Sequence, residues 1–270
     1  MSARSNVVTA SPDGGVRLIV RTGPEGRLTY TISLKGRSAI DPSRLGIVVD
    51  GTDLGDGVKL GKIDRYRIDE TYPWYGVHAK ATDRANGARI SATHRRSGIA
   101  YTIDVRVFDD GAAFRYVVPG GGKKRVPGEA TAFTIPAGSS VWIEGLRGHY
   151  EGQHKKMAVD DAIAGEWAAP PLTFRLPHGE GYGAITEANL AGYAGMALQG
   201  DGRRGFLARL GNDEPISYPF HLRYPQAEES VKIPAVFMGT ITTPWRVLIA
   251  GPDLNALVNS DMVPDLCPPP

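Results

Sequence analysis

The sequence predicts an all-β protein built as a large sandwich of two sheets, with a short helix near the C-terminus. Three observations lead there. Apolar and polar residues alternate with a period of two through long stretches, clusters of Gly, Asp and Pro cut those stretches at short intervals, and a helical period appears only near the end. At 270 residues the chain is long enough for one large all-β domain with a sizeable core.

The first strand pair lies between Val7 and Leu34. Val16-Arg17-Leu18-Ile19-Val20 is followed, past the turn residues Gly23-Pro24-Glu25-Gly26, by Leu28-Thr29-Tyr30-Thr31-Ile32-Ser33-Leu34. Leu28, Tyr30, Ile32 and Leu34 face one way and the hydroxyl residues the other, as in a half-buried antiparallel pair. Asp50 to Gly57 is a turn cluster, and Thr71-Tyr72-Pro73-Trp74-Tyr75 crowds three aromatics together. The second clear pair joins Ile99, Tyr101, Ile103, Val105 and Val107 to Ala113–Val118 through Asp109-Asp110-Gly111. Gly120-Gly121-Gly122-Lys123-Lys124-Arg125 lacks the Gly-Lys-Ser/Thr ending of a phosphate loop and reads as a hairpin tip.

The section from Val141 to Pro171 is less regular and carries His149 and His154, five residues apart with no helical pattern. Further strands are expected at Gly205–Leu210, Val231–Phe237 and Trp245–Ala250. Leu254, Leu257 and Val258 share one face of a short helix opened by Pro252-Asp253, and Asp261 to Pro270 reads as an extended, proline-rich exit. The expected division is a sandwich over 1–251 and a helix with linker over 252–270.

Composition narrows the function classes. Thirty-one Lys and Arg against 29 Asp and Glu leave a formal charge of +2, which argues against a nucleic-acid partner. Cys267 stands alone, so no intramolecular disulfide can form. No apolar run approaches the roughly 18 residues of a membrane span, and Met1 to Asn6 lacks the apolar core of a signal peptide. The expectation is no membrane partner, with a cytoplasmic location if the chain is as written and a periplasmic or secreted one if a native leader has been removed.

One stretch invites a chemical explanation. From Gly181 to Gly200 the side chains are small or apolar and Glu187 is the single charge. A carboxylate in such a strand ordinarily faces water. With Ile185, Thr186 and Ala188 it also forms an Ile-Thr-Glu-Ala motif.

Together with Ser11-Pro12-Asp13-Gly14, Arg27-Leu28-Thr29-Tyr30, Leu45-Gly46-Ile47, Phe108 to Tyr116, Thr243-Pro244-Trp245-Arg246-Val247 and Leu254 to Ser260, this motif resembles the amino-terminal domain of glycoside hydrolase family 97, enzymes that cleave α-linked glucosides and galactosides. The resemblance spans nearly the whole chain. It implies a super-sandwich of the galactose-mutarotase type, and a (β/α)8 barrel, not encoded here, that carries the catalytic residues. No catalytic residue is therefore expected on this chain. It further implies that Glu187 is a ligand to calcium in the active site of the complete enzyme, suitable chemistry for a hard cation that takes oxygen ligands. Candidate substrate contacts are Glu151, Trp167 and Asn189, the ligand being an α-linked oligosaccharide. Gln153-His154-Lys155-Lys156 departs from the family pattern, which has acidic or aromatic residues there.

The expected partners are thus the catalytic barrel and an oligosaccharide, with weak self-association where the barrel face is exposed. Two other readings stand beside this one. The first is a stand-alone carbohydrate-binding module that stacks sugars on Trp74, Tyr75 or Trp167; the second is a mutarotase-like epimerase with a histidine acid and Glu187 as base.

Overall fold

The computed structural model describes residues 5–146, 152–212 and 232–268. An antiparallel meander comes first: β1 (Asn6–Ala10), β2 (Val16–Thr22), β3 (Leu28–Leu34) and β4 (Arg37–Arg44). Short β5 (Ile47–Val49) and β6 (Thr52–Asp53) precede two hairpins, β7 (Val58–Pro73) with β8 (Lys80–His94) and β9 (Ala100–Phe108) with β10 (Gly111–Val118). Next are β11 (Pro127–Glu129), β12 (Ala132–Thr134), β13 (Ser140–Ile143), β14 (Lys155–Ala158), β15 (Trp167–Ala168) and β16 (Leu172–Arg175). Then follow β17 (Tyr182–Ala188), β18 (Met196–Gly200), β19 (Gly205–Leu210), β20 (Ile241–Thr242) and β21 (Trp245–Gly251). Two short helices, α1 (Leu254–Val258) and α2 (Met262–Asp265), complete the described chain.

The strands form two large sheets and one small one. The first has the order β1-β2-β3-β4-β12-β19-β18-β15, the second β14-β13-β16-β17-β21-β10-β9-β8-β7 with β20 also on β10, and the third β11-β5-β6. Inward-facing side chains of both large sheets merge into one core that includes Leu18, Tyr30, Ile32, Val105, Phe114, Phe133, Phe174, Ile185 and Leu248. Tyr30 and Phe114 meet edge to face at 4.9 Å, and the buried Tyr30 hydroxyl donates to the Ala132 carbonyl at 2.9 Å. The predicted alternation on β3 holds throughout, with Leu28, Tyr30, Ile32 and Leu34 all buried.

Strand β21 differs from its neighbours in being buried at every position. Its inner face joins the common core. Its outer face, Trp245, Val247 and Ile249, packs with Ala113, Ala184 and Ala188 under Met262 and Leu266 of the α2 segment. A strand covered on both sides reads as a continuous apolar run. Trp245 is also flanked by the guanidinium of Arg115 at 4.3 Å and that of Arg106 at 5.1 Å. Gly111 opens β10 where a Cβ would collide with the Leu248 carbonyl and the Met262 sulfur, so the last segment fits tightly over the hairpin.

Two expectations are corrected. The segment after Asp261 is not an extended exit as far as Leu266: it forms α2 and buries Met262 and Leu266. The part of Val231–Phe237 that lies within the described residues is not a strand, apart from one bridge between Phe237 and Arg125. Pro234 lacks a ladder donor and Ile233 is exposed, which explains why its apolar pattern found no sheet. Gly120 to Arg125 links β10 to β11, and Arg125 turns inward to donate to the carbonyls of Val118, Pro119 and Gly239.

The α2 segment sits on an acidic contact. The Tyr72 hydroxyl donates to Asp265 at 2.7 Å, the Thr82 amide donates to Asp261 at 3.3 Å, and Arg106 lies 3.6 Å from Asp83. Burial pushes Asp265 up to about 7 against the opposing pull of Tyr72, and burial likewise pushes Asp83 up to about 6 against that of Arg106. Both groups hold their protons more tightly folded than unfolded. The folded state therefore loses stability as pH rises from the ordinary carboxylate range through 6 to 7. The melting temperature, followed by circular dichroism, should fall between pH 5 and pH 8, and the Asp83→Asn, Asp265→Asn double variant should lose most of that slope.

Candidate functional site

Glu187 lies in β17 beside β21, and the register places it opposite Arg246. Both side chains point into the sandwich. In the doubly covered β21 an unpaired charge would be costly, and Arg246 is fully buried. It is satisfied by two carboxylates. Arg246 Nη1 donates to Glu187 Oε2 at 2.8 Å, while Nε and Nη2 both donate to Glu129 Oε2, at 3.0 and 2.6 Å. The other oxygen of Glu187, Oε1, accepts the Met196 amide at 2.9 Å.

The three members come from different parts of the fold. Arg246 and Glu187 belong to the second large sheet, Glu129 ends β11 of the small sheet, and Met196 opens β18 of the first large sheet. The triad together with the Met196 amide thus joins all three sheets. Its burial is graded: the Glu129 side chain is 1% exposed, that of Arg246 0% and that of Glu187 15%. Burial alone would lower the Arg246 pKa, but the charges of Glu129 and Glu187 outweigh it and hold the group above its ordinary value. Two carboxylates and one guanidinium leave one excess negative charge.

This arrangement suits one kind of chemistry. A carboxylate oxygen carries two lone pairs; among the described residues each Glu187 oxygen accepts one hydrogen bond, and the side chain is 15% exposed. It can offer an oxygen ligand to a hard cation. Among the described residues no three His, Cys, Asp or Glu side chains gather to hold a metal. The donor set here is one carboxylate, and the remaining ligands of any such ion must come from elsewhere.

Asn189 follows β17 in the left-handed region, φ 58°, two residues past Glu187. Trp167 is 5% exposed and packs with Leu146, Ala169 and Ala197, the last being the neighbour of Met196. It also lines a cleft of about 450 Å³ with Glu144, Gly152, Gln153 and Glu166. Glu151 and His149 lie outside the described residues. Tyr75 is 98% exposed, and Trp74 meets Tyr72 edge to face at 6.5 Å. None of His78, His94, His154 and His178 is hydrogen-bonded to Glu187; His154 lies 3.7 Å from Glu144, and His94 bonds Ser97.

The sequence reading missed Arg246 and Glu129. The available signal was Arg246 itself, a lone charge in the apolar run Trp245 to Ala250, just as Glu187 is a lone charge in its own stretch.

The family Glycosyl-hydrolase 97 N-terminal matches residues 9–269. The chain belongs to this family. It is 31% identical over 262 residues to a probable retaining α-galactosidase of Streptomyces bingchenggensis, a match covering 92% of this chain and 37% of that protein. It is 27% identical over 156 residues to the retaining α-galactosidase of Bacteroides thetaiotaomicron, covering 57% of this chain and 22% of that protein. Among solved structures, a family 97 enzyme from Pseudoalteromonas sp. strain K8 in complex with panose superposes with a TM-score of 0.82 at 23% identity, over 97% of this chain and 38% of the other. A β-arabinopyranosidase superposes with a TM-score of 0.78 at 22% identity, over 95% of this chain and 42% of the other. This family 97 domain therefore spans less than half the length of the relatives it matches. The all-β sandwich expected from the sequence is the fold these structures share with it. Among the described residues no helix is long and apolar enough to cross a membrane.

The triad makes a stability prediction. Removing the guanidinium alone, as in Arg246→Met, leaves two carboxylates uncompensated in the interior and should cost about 3–5 kcal/mol. Adding Glu129→Gln and Glu187→Gln to Arg246→Met should recover most of that loss in urea unfolding, because the stranded charges are then gone.

Proposed function

We propose that this chain is the non-catalytic sandwich domain of a calcium-dependent α-glycosidase, supporting a (β/α)8 barrel and lending Glu187 to a calcium ion in that enzyme's active site. The observation that carries the reading is the state of Glu187. It is the partly exposed end of a buried triad, fixed by Arg246 and the Met196 amide. A carboxylate held in this way suits a ligand set completed by a second folding unit. Calcium takes six to eight oxygens, so one carboxylate alone would leave most of them to water.

In this reading Glu187 would hold one side of a calcium ion, which when bound would supply Lewis-acid polarisation and orientation of the sugar. The chain's own contribution is geometric: β17 and β21 fix Glu187, and Trp167 with Asn189 flank the approach for an α-linked oligosaccharide. α-Galactosides are the first substrates to test, because both relatives named above are α-galactosidases. Glycoside hydrolysis by the usual routes needs a pair of carboxyl groups acting as acid and as base or nucleophile, and we place neither on this domain. Leu254 and Val258 on α1, 53% and 65% exposed, are apolar side chains suited to an interface with the barrel.

The test uses aryl α-galactosides and α-glucosides with this chain and with the full-length gene product. Turnover should be confined to the longer protein, should disappear on chelation and return with calcium, and should fall at least a hundredfold in Glu187→Gln, on the order of the loss of a catalytic electrostatic contact. Calcium-dependent turnover by the 270-residue chain alone would overturn the reading.

A further inference from the structure

The triad is one positive charge short, and the geometry shows where that deficit is felt. Glu129 is 1% exposed, and its Oε1 is buried with no hydrogen-bond partner among the described residues. Its Oε2 takes two of the Arg246 donors, Nε and Nη2. Glu187 receives only Nη1. The guanidinium is therefore engaged mainly by the carboxylate that cannot reach solvent, while the one that can is engaged through a single contact.

We propose that Glu129 is a positioning residue for cation binding: by holding Arg246 from behind, it keeps Glu187 oriented yet incompletely neutralised, so that the excess charge of the triad is presented at the surface oxygens of Glu187. Without Glu129, Arg246 and Glu187 would form a neutral pair, and an arriving cation would face a guanidinium whose charge nothing else offsets. With Glu129 in place the triad carries one net negative charge, and a cation at Glu187 brings it to compensation. Interactions within a low-dielectric interior are screened less than those in water, so a fully buried charge one guanidinium away still acts on the ion. Glu129 ends β11, so its bond to Arg246 links the position of the small sheet to the proposed cation site.

The inference rests on the reading of Glu187 as a calcium ligand, and the test separates the two. Calcium chloride is titrated calorimetrically into the full-length gene product as wild type, Glu129→Gln and Glu187→Gln, with melting temperatures recorded in chelator. Glu129→Gln preserves shape and removes one charge. It should weaken calcium binding roughly ten- to hundredfold, while the melting temperature without calcium stays near or above that of the wild type. Equal calcium affinity in wild type and Glu129→Gln, with loss in Glu187→Gln, overturns the role of Glu129 and leaves the calcium reading standing. Unchanged affinity in Glu187→Gln overturns both. Should Glu129→Gln fail to fold, Glu129→Met serves instead. It also removes one charge while leaving no buried polar group of its own unpaired, and must show a comparable loss of affinity; wild-type affinity in that variant overturns the inference.

Discussion

The guanidinium of Arg246 is the constraint around which this sandwich is arranged. A strand buried on both faces has no route by which a charged side chain can reach water, so Arg246 either finds carboxylates inside the protein or prevents β21 from packing. It finds two, and they come from the small sheet and from the neighbouring strand. The Glu187 oxygen left over by Arg246 then accepts an amide from the opposite sheet. One side chain thereby fixes how three sheets meet. Buried ion pairs give little net stability over an apolar equivalent. An apolar cluster would hold the sheets together equally well but would not orient a carboxylate at the rim.

The outer face of the same strand explains the end of the chain. Trp245, Val247 and Ile249 need a cover. The α2 segment supplies it with Met262 and Leu266. The cover is itself partly acidic, with Asp265 against Tyr72 and near Asp83, which couples its attachment to pH. β21 thus carries the triad on one face and seats the C-terminal segment on the other.

Most of the fold was legible because strands announce themselves by a period of two and hairpins by their turn residues. β3, β9 and β10 follow directly from Leu28 to Leu34, Tyr101 to Val107 and the Asp109-Asp110-Gly111 turn. What could not be read depends on distance or on brevity. Met262 to Asp265 is a single helical turn containing a proline, too short to show a 3.6-residue period, and it is helical because its apolar side chains have a face to cover. Ile233 and Val236 are apolar but interrupted by Pro234, and pattern alone cannot show that no strand edge awaits them. In the site, Glu187 stood out as a lone carboxylate, but Arg246 lies 59 residues after it, and Glu129, the other carboxylate on that guanidinium, lies 117 residues before Arg246. Sequence spacing carries no information about a cross-strand register that tertiary packing decides.

On the proposed reading, a cation site shared between two folding units would meet a physical difficulty that this triad answers. If both halves of the ligand set were mobile, closing the site would cost the rotamer freedom of every carboxylate at the moment of binding. Glu187 carries none of that cost forward, because Arg246 and the Met196 amide fix it when the sandwich folds. Fixing a carboxylate with a guanidinium normally neutralises it, which would defeat the purpose. In the proposed arrangement a second, deeper carboxylate on the same guanidinium would separate the two effects: Glu129 accepts from Nε and Nη2 of Arg246, and Glu187, bonded to Nη1 alone, would keep both its orientation and its capacity to attract a cation. Orientation alone would be served by a pair. On the proposed reading, a third, buried member whose second oxygen has no partner among the described residues suits an interior that receives a charge from outside.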